Sequence, residues 1–170
     1  MNEEKFTGKA DIYDKYRPSY PDGLIRYLYG MTHLREYNAE NVIDIGAGTG
    51  KLTACLATKP WKITAVEPNG DMLEKLKQNF PDITIVKASA ENTGLPDNSA
   101  DLITVAQAFH WFEKDKFKAE CKRLLKENGR LAIIWNERCH EGISKERDEI
   151  CLRFCPAYRS GHVITGTEIQ

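Results

Sequence analysis

At 170 residues, with 24 basic and 25 acidic side chains and a net charge of −1, the chain has the length for one domain with a real core. It lacks the basic surplus of a general nucleic-acid or anionic-membrane binder. No apolar run approaches a membrane span, and the charged start MNEEKFTGK has no apolar secretory core. Five cysteines (Cys55, Cys121, Cys139, Cys151 and Cys155), odd in number and irregular in spacing, predict free thiols and a cytoplasmic setting.

In chain order, Tyr13, Tyr16, RPSYP and GLIRYLYGM predict a helical segment within residues 1–38, with Pro21 opening a helix. Asn41–Gly46 is a short apolar run closed by glycine, a buried strand. Leu52, Cys55 and Leu56 follow at helical spacing. Trp61–Glu67 is the second strand; Leu73, Leu76 and Phe80 then step by three and four residues until Pro81 stops that helix. Asp82–Ala88 is the third strand, ENTGLPDNS a loop, and Ala100–Ala108 the fourth strand. Phe117, Cys121, Leu124 and Leu125 line a helix that is expected to end at Asn128 and Gly129, before a fifth strand at Arg130–Glu137. Ser144 is placed to cap a helix running to about Phe154, ended by Pro156. Strands apolar on both faces and alternating with helices imply a doubly wound α/β fold, Rossmann-like, with a mostly parallel sheet. Ligands of such sheets bind beyond the carboxyl ends of the strands.

The stretch VIDIGAGTGKLT lies at such an end. Its glycines, Gly46, Gly48 and Gly50, depart from the dinucleotide fingerprint, where the third glycine falls at the position of Lys51. Asp44 just before the turn would repel a pyrophosphate and attract a cation, which suits the sulfonium and ammonium of S-adenosylmethionine. A tight turn without a ligand is the competing reading, but one glycine would suffice for it, and three alternating glycines after an aspartate disfavour it. Glu67 ends the second strand, where an acidic side chain accepts hydrogen bonds from ribose hydroxyls; on its own it does not separate a nucleotide from S-adenosylmethionine.

Together VIDIGAGTGKLT, AVEPNGDML, ASAENTGLPDNSADLITVAQAFHWF and LLKENGRLAIIWNE resemble, in order and spacing, the class I S-adenosylmethionine-dependent methyltransferases. The resembled branch includes the ubiquinone/menaquinone-biosynthesis and trans-aconitate enzymes, and the likeness covers most of residues 5 to 137. The resemblance implies that Gly46, Ala47 and Gly48 line the methionine portion of the cofactor and that Glu67 holds the ribose. It places Pro68 and Met72 near the adenine, and Ser89 and Ala90 on the adenine edge, with Ser89 where relatives often carry an acid. Gln107 would meet the methionine end, and Tyr16 and Arg17 would close over the site, Arg17 pairing with the cofactor carboxylate; for the tyrosines, helix packing is the competing reading. His110, in AFHWFE after the fourth strand, is the candidate base on the acceptor side. Against it stands a plain structural role, with His110 capping the next helix and Trp111 and Phe112 in the core.

The expected protein is therefore a methyltransferase of a small-molecule acceptor, with residues 39–137 as its cofactor-binding core under a lid at 1–38. The alternatives are an inert cofactor-binding module and, disfavoured by the glycine spacing, an NAD-dependent oxidoreductase. Cys139, His140, Cys151, Cys155 and His162 lack structural zinc spacing, so no metal is expected. The resembled family closes its seven-stranded sheet with an antiparallel pair. Here only HVITGTEI follows, which predicts a sheet without the last two strands and a chain truncated in an acceptor-binding cap begun at 138. It also predicts self-association through the edge Leu131–Trp135.

Overall fold

In the computed structural model, residues 7–8, 10–32 and 40–136 are described, together with Ile150 and Arg153. Contacts divide the chain into Met1–Trp135 and Asn136–Gln170, and the architecture that follows is that of the first unit. The helix expected at Ser144–Phe154 lies outside the described residues save for Ile150 and Arg153, both helical. So do Cys139, His140, Cys151, Cys155, His162 and HVITGTEI.

Five apolar runs form five strands: β1 (Asn41–Ile45), β2 (Lys62–Val66), β3 (Thr84–Val86), β4 (Ala100–Ala106) and β5 (Leu125–Ile134). They pair in parallel, as expected from the alternation with helices, and their order is β3-β2-β1-β4-β5. Side chains alternate across the pleat, so consecutive apolar residues feed two different cores. Val42 and Ile63 join Ile25 and Leu28 of α2 (Asp22–Thr32) and Leu52 and Leu56 of α3 (Lys51–Leu56). Ile43, Ile45 and Val105 join Phe117, Cys121 and Leu124 of α5 (Lys114–Leu124) on the other face. Each such fully buried side chain contributes roughly 1.5–3 kcal/mol. α4 (Gly70–Asn79) starts at Asn69, whose Oδ1 accepts the Met72 N–H at 3.0 Å, and stops ahead of Pro81.

β3 and β4 are shorter than expected, and the passage from α5 to β5 differs most. α5 ends at Leu124, and the chain enters β5 at once instead of leaving through Asn128-Gly129. Ala100 pairs with Leu125 but Leu102 pairs with Arg130, so β5 bulges between these partners. A Cβ on Gly129 would lie 2.9 Å from the Ala100 carbonyl oxygen. Lys126 Nζ meanwhile reaches the buried Asp101 carboxylate at 3.0 Å, which also accepts the Asn41 N–H at 2.9 Å. Pairing with β4 thus overrides the local stop signal of Asn-Gly.

The N-terminal helix α1 (Ala10–Tyr16) meets its neighbours through ion pairs. Asp11, its side chain 87% exposed, pairs with Lys75 at 2.7 Å, and Asp14 pairs with Lys51 at 3.1 Å. Just before it, the Gly8 N–H donates to Asp71 at 2.6 Å. Ile12 and Tyr16 are 64% and 71% exposed.

Candidate functional site

Four adjacent parallel strands end on the same side of the sheet, and each is followed by a residue singled out in the sequence. After β1 come Gly46, Ala47 and Gly48, after β2 Glu67 and Pro68, after β3 Ser89 and Ala90, and after β4 Gln107. Backbone bonds lock these ends together. The N–H groups of Gly46 and Ala47 donate to the Val66 carbonyl at 2.9 and 3.1 Å, Glu67 N–H to Val86 at 3.1 Å, and Gln107 N–H to Ile134 at 3.0 Å.

All three glycines of the turn have positive φ: 71° at Gly46, 59° at Gly48 and 94° at Gly50. Two are also fixed by the protein's own packing. A Cβ at Gly46 would sit 2.7 Å from Ala108 Cβ, and one at Gly50 would sit 2.3 Å from the Phe80 ring. The turn conformation therefore needs all three glycines, more than the single one that a ligand-free turn was expected to require.

Glu67 is buried, and each carboxylate oxygen already holds one backbone donor: Oε2 takes the Gly48 N–H at 2.8 Å and Oε1 the Asn69 N–H at 2.9 Å. Asp44 does not open onto the turn. It is 1% exposed, with Oδ2 accepting from Thr53 Oγ1 at 2.6 Å and Oδ1 from Thr104 Oγ1 at 3.0 Å. Burial pushes its carboxyl up to about 6 despite the two threonine hydroxyls.

Gln107 stands in the left-handed region at φ 57°, unusual for a residue with a side chain, and its Nε2 is buried without a hydrogen-bond partner. An orphaned donor at the carboxyl end of β4 is what a ligand acceptor would satisfy. Met72 is 2% exposed at the first turn of α4, and Ala90 is 1% exposed with its methyl in the core. Ser89 is half-buried and bridges to Asn92.

His110 lies on the short 3-10 turn Phe109–Trp111 after β4 and is exposed, its ring 4.6 Å from that of Trp111. It does not cap α5: Glu113 is the N-cap residue, and its N–H donates to Glu91 at 2.9 Å. Phe112 is core, 7% exposed, with Trp111 packed against the same cluster. Partial burial, then the positive charge of Arg17, hold the imidazole below its ordinary value. Arg17 is thereby felt at His110, whereas the Tyr16 ring faces solvent under the Lys15 ammonium at 5.3 Å.

Sequence reasoning missed a polar bracket behind Ser89. Glu120 of α5, 7% exposed, accepts from Thr93 N at 2.8 Å and Thr93 Oγ1 at 2.6 Å, and pairs with Arg123 at 2.7 Å. Only its i,i+3 spacing to Arg123 was visible locally. A cleft of about 500 Å³ lies at the amino ends of the strands, lined by Asn41, Lys62, Thr64 and Thr84. It lies at the end of the sheet away from the residues above, so this cleft is not the site they form. Among the described residues, no group of His, Cys, Asp or Glu is arranged to hold a metal, and no helix is long and apolar enough to cross a membrane.

Residues 43–133, more than half of the chain, match the family described as a methyltransferase domain. An uncharacterized methyltransferase of Mycobacterium tuberculosis is 38% identical over 133 residues, 78% of this chain and 52% of that protein. The ubiquinone/menaquinone biosynthesis C-methyltransferase UbiE of Psychromonas ingrahamii is 33% identical over 128 residues, 69% of this chain and 51% of that protein. The chain thus spans about half the length of the curated relatives it matches. A structure titled as a putative S-adenosylmethionine-dependent methyltransferase from Methanococcus maripaludis superimposes with a TM-score of 0.67 at 25% identity, covering 91% of this chain and 72% of that one.

Proposed function

The chain belongs to the methyltransferase domain family, and on that premise we propose that it transfers a methyl group from S-adenosylmethionine to a small-molecule acceptor. The observation that carries this reading is the hydrogen bond from Gly48 N–H to Glu67 Oε2, which joins the glycine turn and the ribose acceptor into one surface. The orphaned Nε2 of Gln107, on the next strand end, supplies a donor with nothing in the protein to receive it.

In this reading the Glu67 carboxylate accepts the two ribose hydroxyls. Ser89 Oγ accepts from the adenine amine while backbone at Ala90 meets the ring beside it. Gln107 Nε2 and Arg17 receive the carboxylate of the methionine portion. Asp44, buried beneath the turn with its oxygens bonded to Thr53 and Thr104, acts on positive charge at a distance and without direct contact. The bound cofactor supplies an activated methyl group, and the protein's part is alignment and exclusion of water. α1 closes over the turn through Asp14 and Lys51, with residues 1–38 serving as the lid.

His110 is the residue placed to take a proton from an acceptor that must lose one. Its imidazole, held below the ordinary value, is neutral at pH 7 and so able to accept. The nearby Arg17 charge favours an acceptor that develops negative charge, such as an activated carbon, in keeping with the C-methyltransferase named among the relatives.

Calorimetric titration with S-adenosylmethionine, S-adenosylhomocysteine and NAD tests the cofactor, and transfer of labelled methyl to a quinone-precursor panel tests turnover. Tight NAD binding without binding of either sulfur nucleoside would sink the reading. Binding with no transfer to any acceptor would leave a cofactor-holding module instead of an enzyme.

A further inference from the structure

The connection from β3 to β4 carries no helix. Residues 87–99 run as loop and turns, with a single bridge between Ser89 and Asn92. Backbone of this kind needs partners from elsewhere, and here they come from α5 and its N-cap. Thr93 N–H donates to Glu120, the Leu95 carbonyl accepts from Arg123 at 2.7 Å, and the Asn98 N–H donates to the Arg123 carbonyl at 2.9 Å, while the Glu91 side chain in return accepts the Glu113 N–H. Arg123 also pairs with Asp97.

Glu120 is the centre of this bracket. Its Oε1 receives the Thr93 N–H, the Thr93 hydroxyl and Arg123 Nη2, and its Oε2 receives Arg123 Nε at 2.9 Å. Arg123 and Thr93 hold the carboxyl down to about 2 against the opposing effect of burial, so it stays charged at every working pH. A helix that merely covers the sheet does so with Phe117, Cys121 and Leu124 and has no use for a buried carboxylate among them. The atoms held by Glu120 are adjacent in sequence to a closed turn: Thr93 follows Asn92, whose N–H bonds the Ser89 carbonyl at 3.4 Å.

We propose that Glu120 is a positioning residue for the adenine end of the cofactor, fixing through Thr93 the Ser89–Asn92 turn that forms the adenine wall. This rests on the reading of Ser89 and Ala90 given above. The contact works only if an acceptor and a donor on the turn stay in register with the adenine edge. Replacing adenine by hypoxanthine reverses that edge: the amine donor becomes a carbonyl acceptor, and the ring acceptor becomes an N–H. A fixed turn discriminates the two bases, and a loose one rotates to suit either.

The experiment is calorimetry on the full chain with S-adenosylhomocysteine and S-inosylhomocysteine. The wild type is expected to prefer the adenine compound roughly tenfold, the worth of about one matched hydrogen bond. Glu120→Gln places an amide against Arg123, breaks the bracket, and brings the ratio toward one. Thr93→Val, which deletes one hydroxyl at constant shape, gives an intermediate ratio if Glu120→Gln folds poorly, and Thr93→Ser retains the full preference. Equal weakening of both compounds in Glu120→Gln, with the ratio kept, would mean a merely structural role and overturn the proposal. A wild type that binds both alike would overturn the adenine assignment, and the proposal with it. A wild type that binds neither would overturn the reading of the whole site.

Discussion

Asp44→Asn is the substitution from which the site predicts most. Asp44 is 1% exposed and its carboxyl is raised from 3.8 to about 6 by burial. The folded state thus holds this proton more tightly than the unfolded chain does. The stability linked to it is complete below about pH 4 and is lost as pH rises through about 6. A shift of about two units at roughly 1.4 kcal/mol each makes the loss about 3 kcal/mol by pH 7. Asparagine keeps the shape, and because hydroxyls both donate and accept, Thr53 and Thr104 can bond its oxygen and its amide. Urea unfolding of both proteins between about pH 4 and pH 8 should show them close to parity at the acid end. Toward neutrality the wild type should fall behind by up to about 3 kcal/mol. Parallel curves would refute the assignment of a costly buried charge. The functional counterpart is a selective loss: Asp44→Asn should weaken S-adenosylmethionine, which carries the sulfonium, more than its neutral thioether product.

Glu67→Ala should weaken S-adenosylhomocysteine by roughly 1.5–3 kcal/mol in calorimetry, as for hydrogen bonds to a charged group, and an unchanged dissociation constant would refute its ribose role. The same change strands the Gly48 and Asn69 N–H groups, so a thermal melt should also fall. Gly50→Ala should cost more than about 2 kcal/mol in denaturant unfolding, since φ is 94° and the new Cβ would meet Phe80 at 2.3 Å. If α1 is a lid, amide exchange of 13–17 should slow when S-adenosylhomocysteine binds, and Lys51→Ala should speed it in the free protein.

The five strands were legible because a parallel sheet buried on both faces writes each strand as a continuous apolar run. Gly46 and Glu67 were legible at the ends of such runs, whereas Ser89 and Gln107 were singled out through the family resemblance. What stayed hidden depends on partners far apart in sequence. Asp44 read as a charge facing a ligand, and only folding showed Thr104 waiting for it on β4. Glu120 and Thr93, 27 positions apart, gave no local signal, because an acid on an otherwise polar stretch of helix looks solvated. Asn128-Gly129 carried a true turn signal but the wrong consequence, since Ala100 had already captured Leu125 as a strand partner.

The ion pairs of α1 bear on how that helix can come away. A helix docked by apolar contacts exposes greasy surface on leaving, so its release shows in heat capacity and in the denaturant slope. α1 shows Ile12 and Tyr16 to water, and among the contacts it would give up are the Asp11–Lys75 and Asp14–Lys51 pairs. Ionic strength is the variable that it answers to, because the Debye length shrinks to about 3 Å at 1 M salt, comparable to the separations in these pairs. Access to the glycine turn would then vary with salt while the fold beneath it does not.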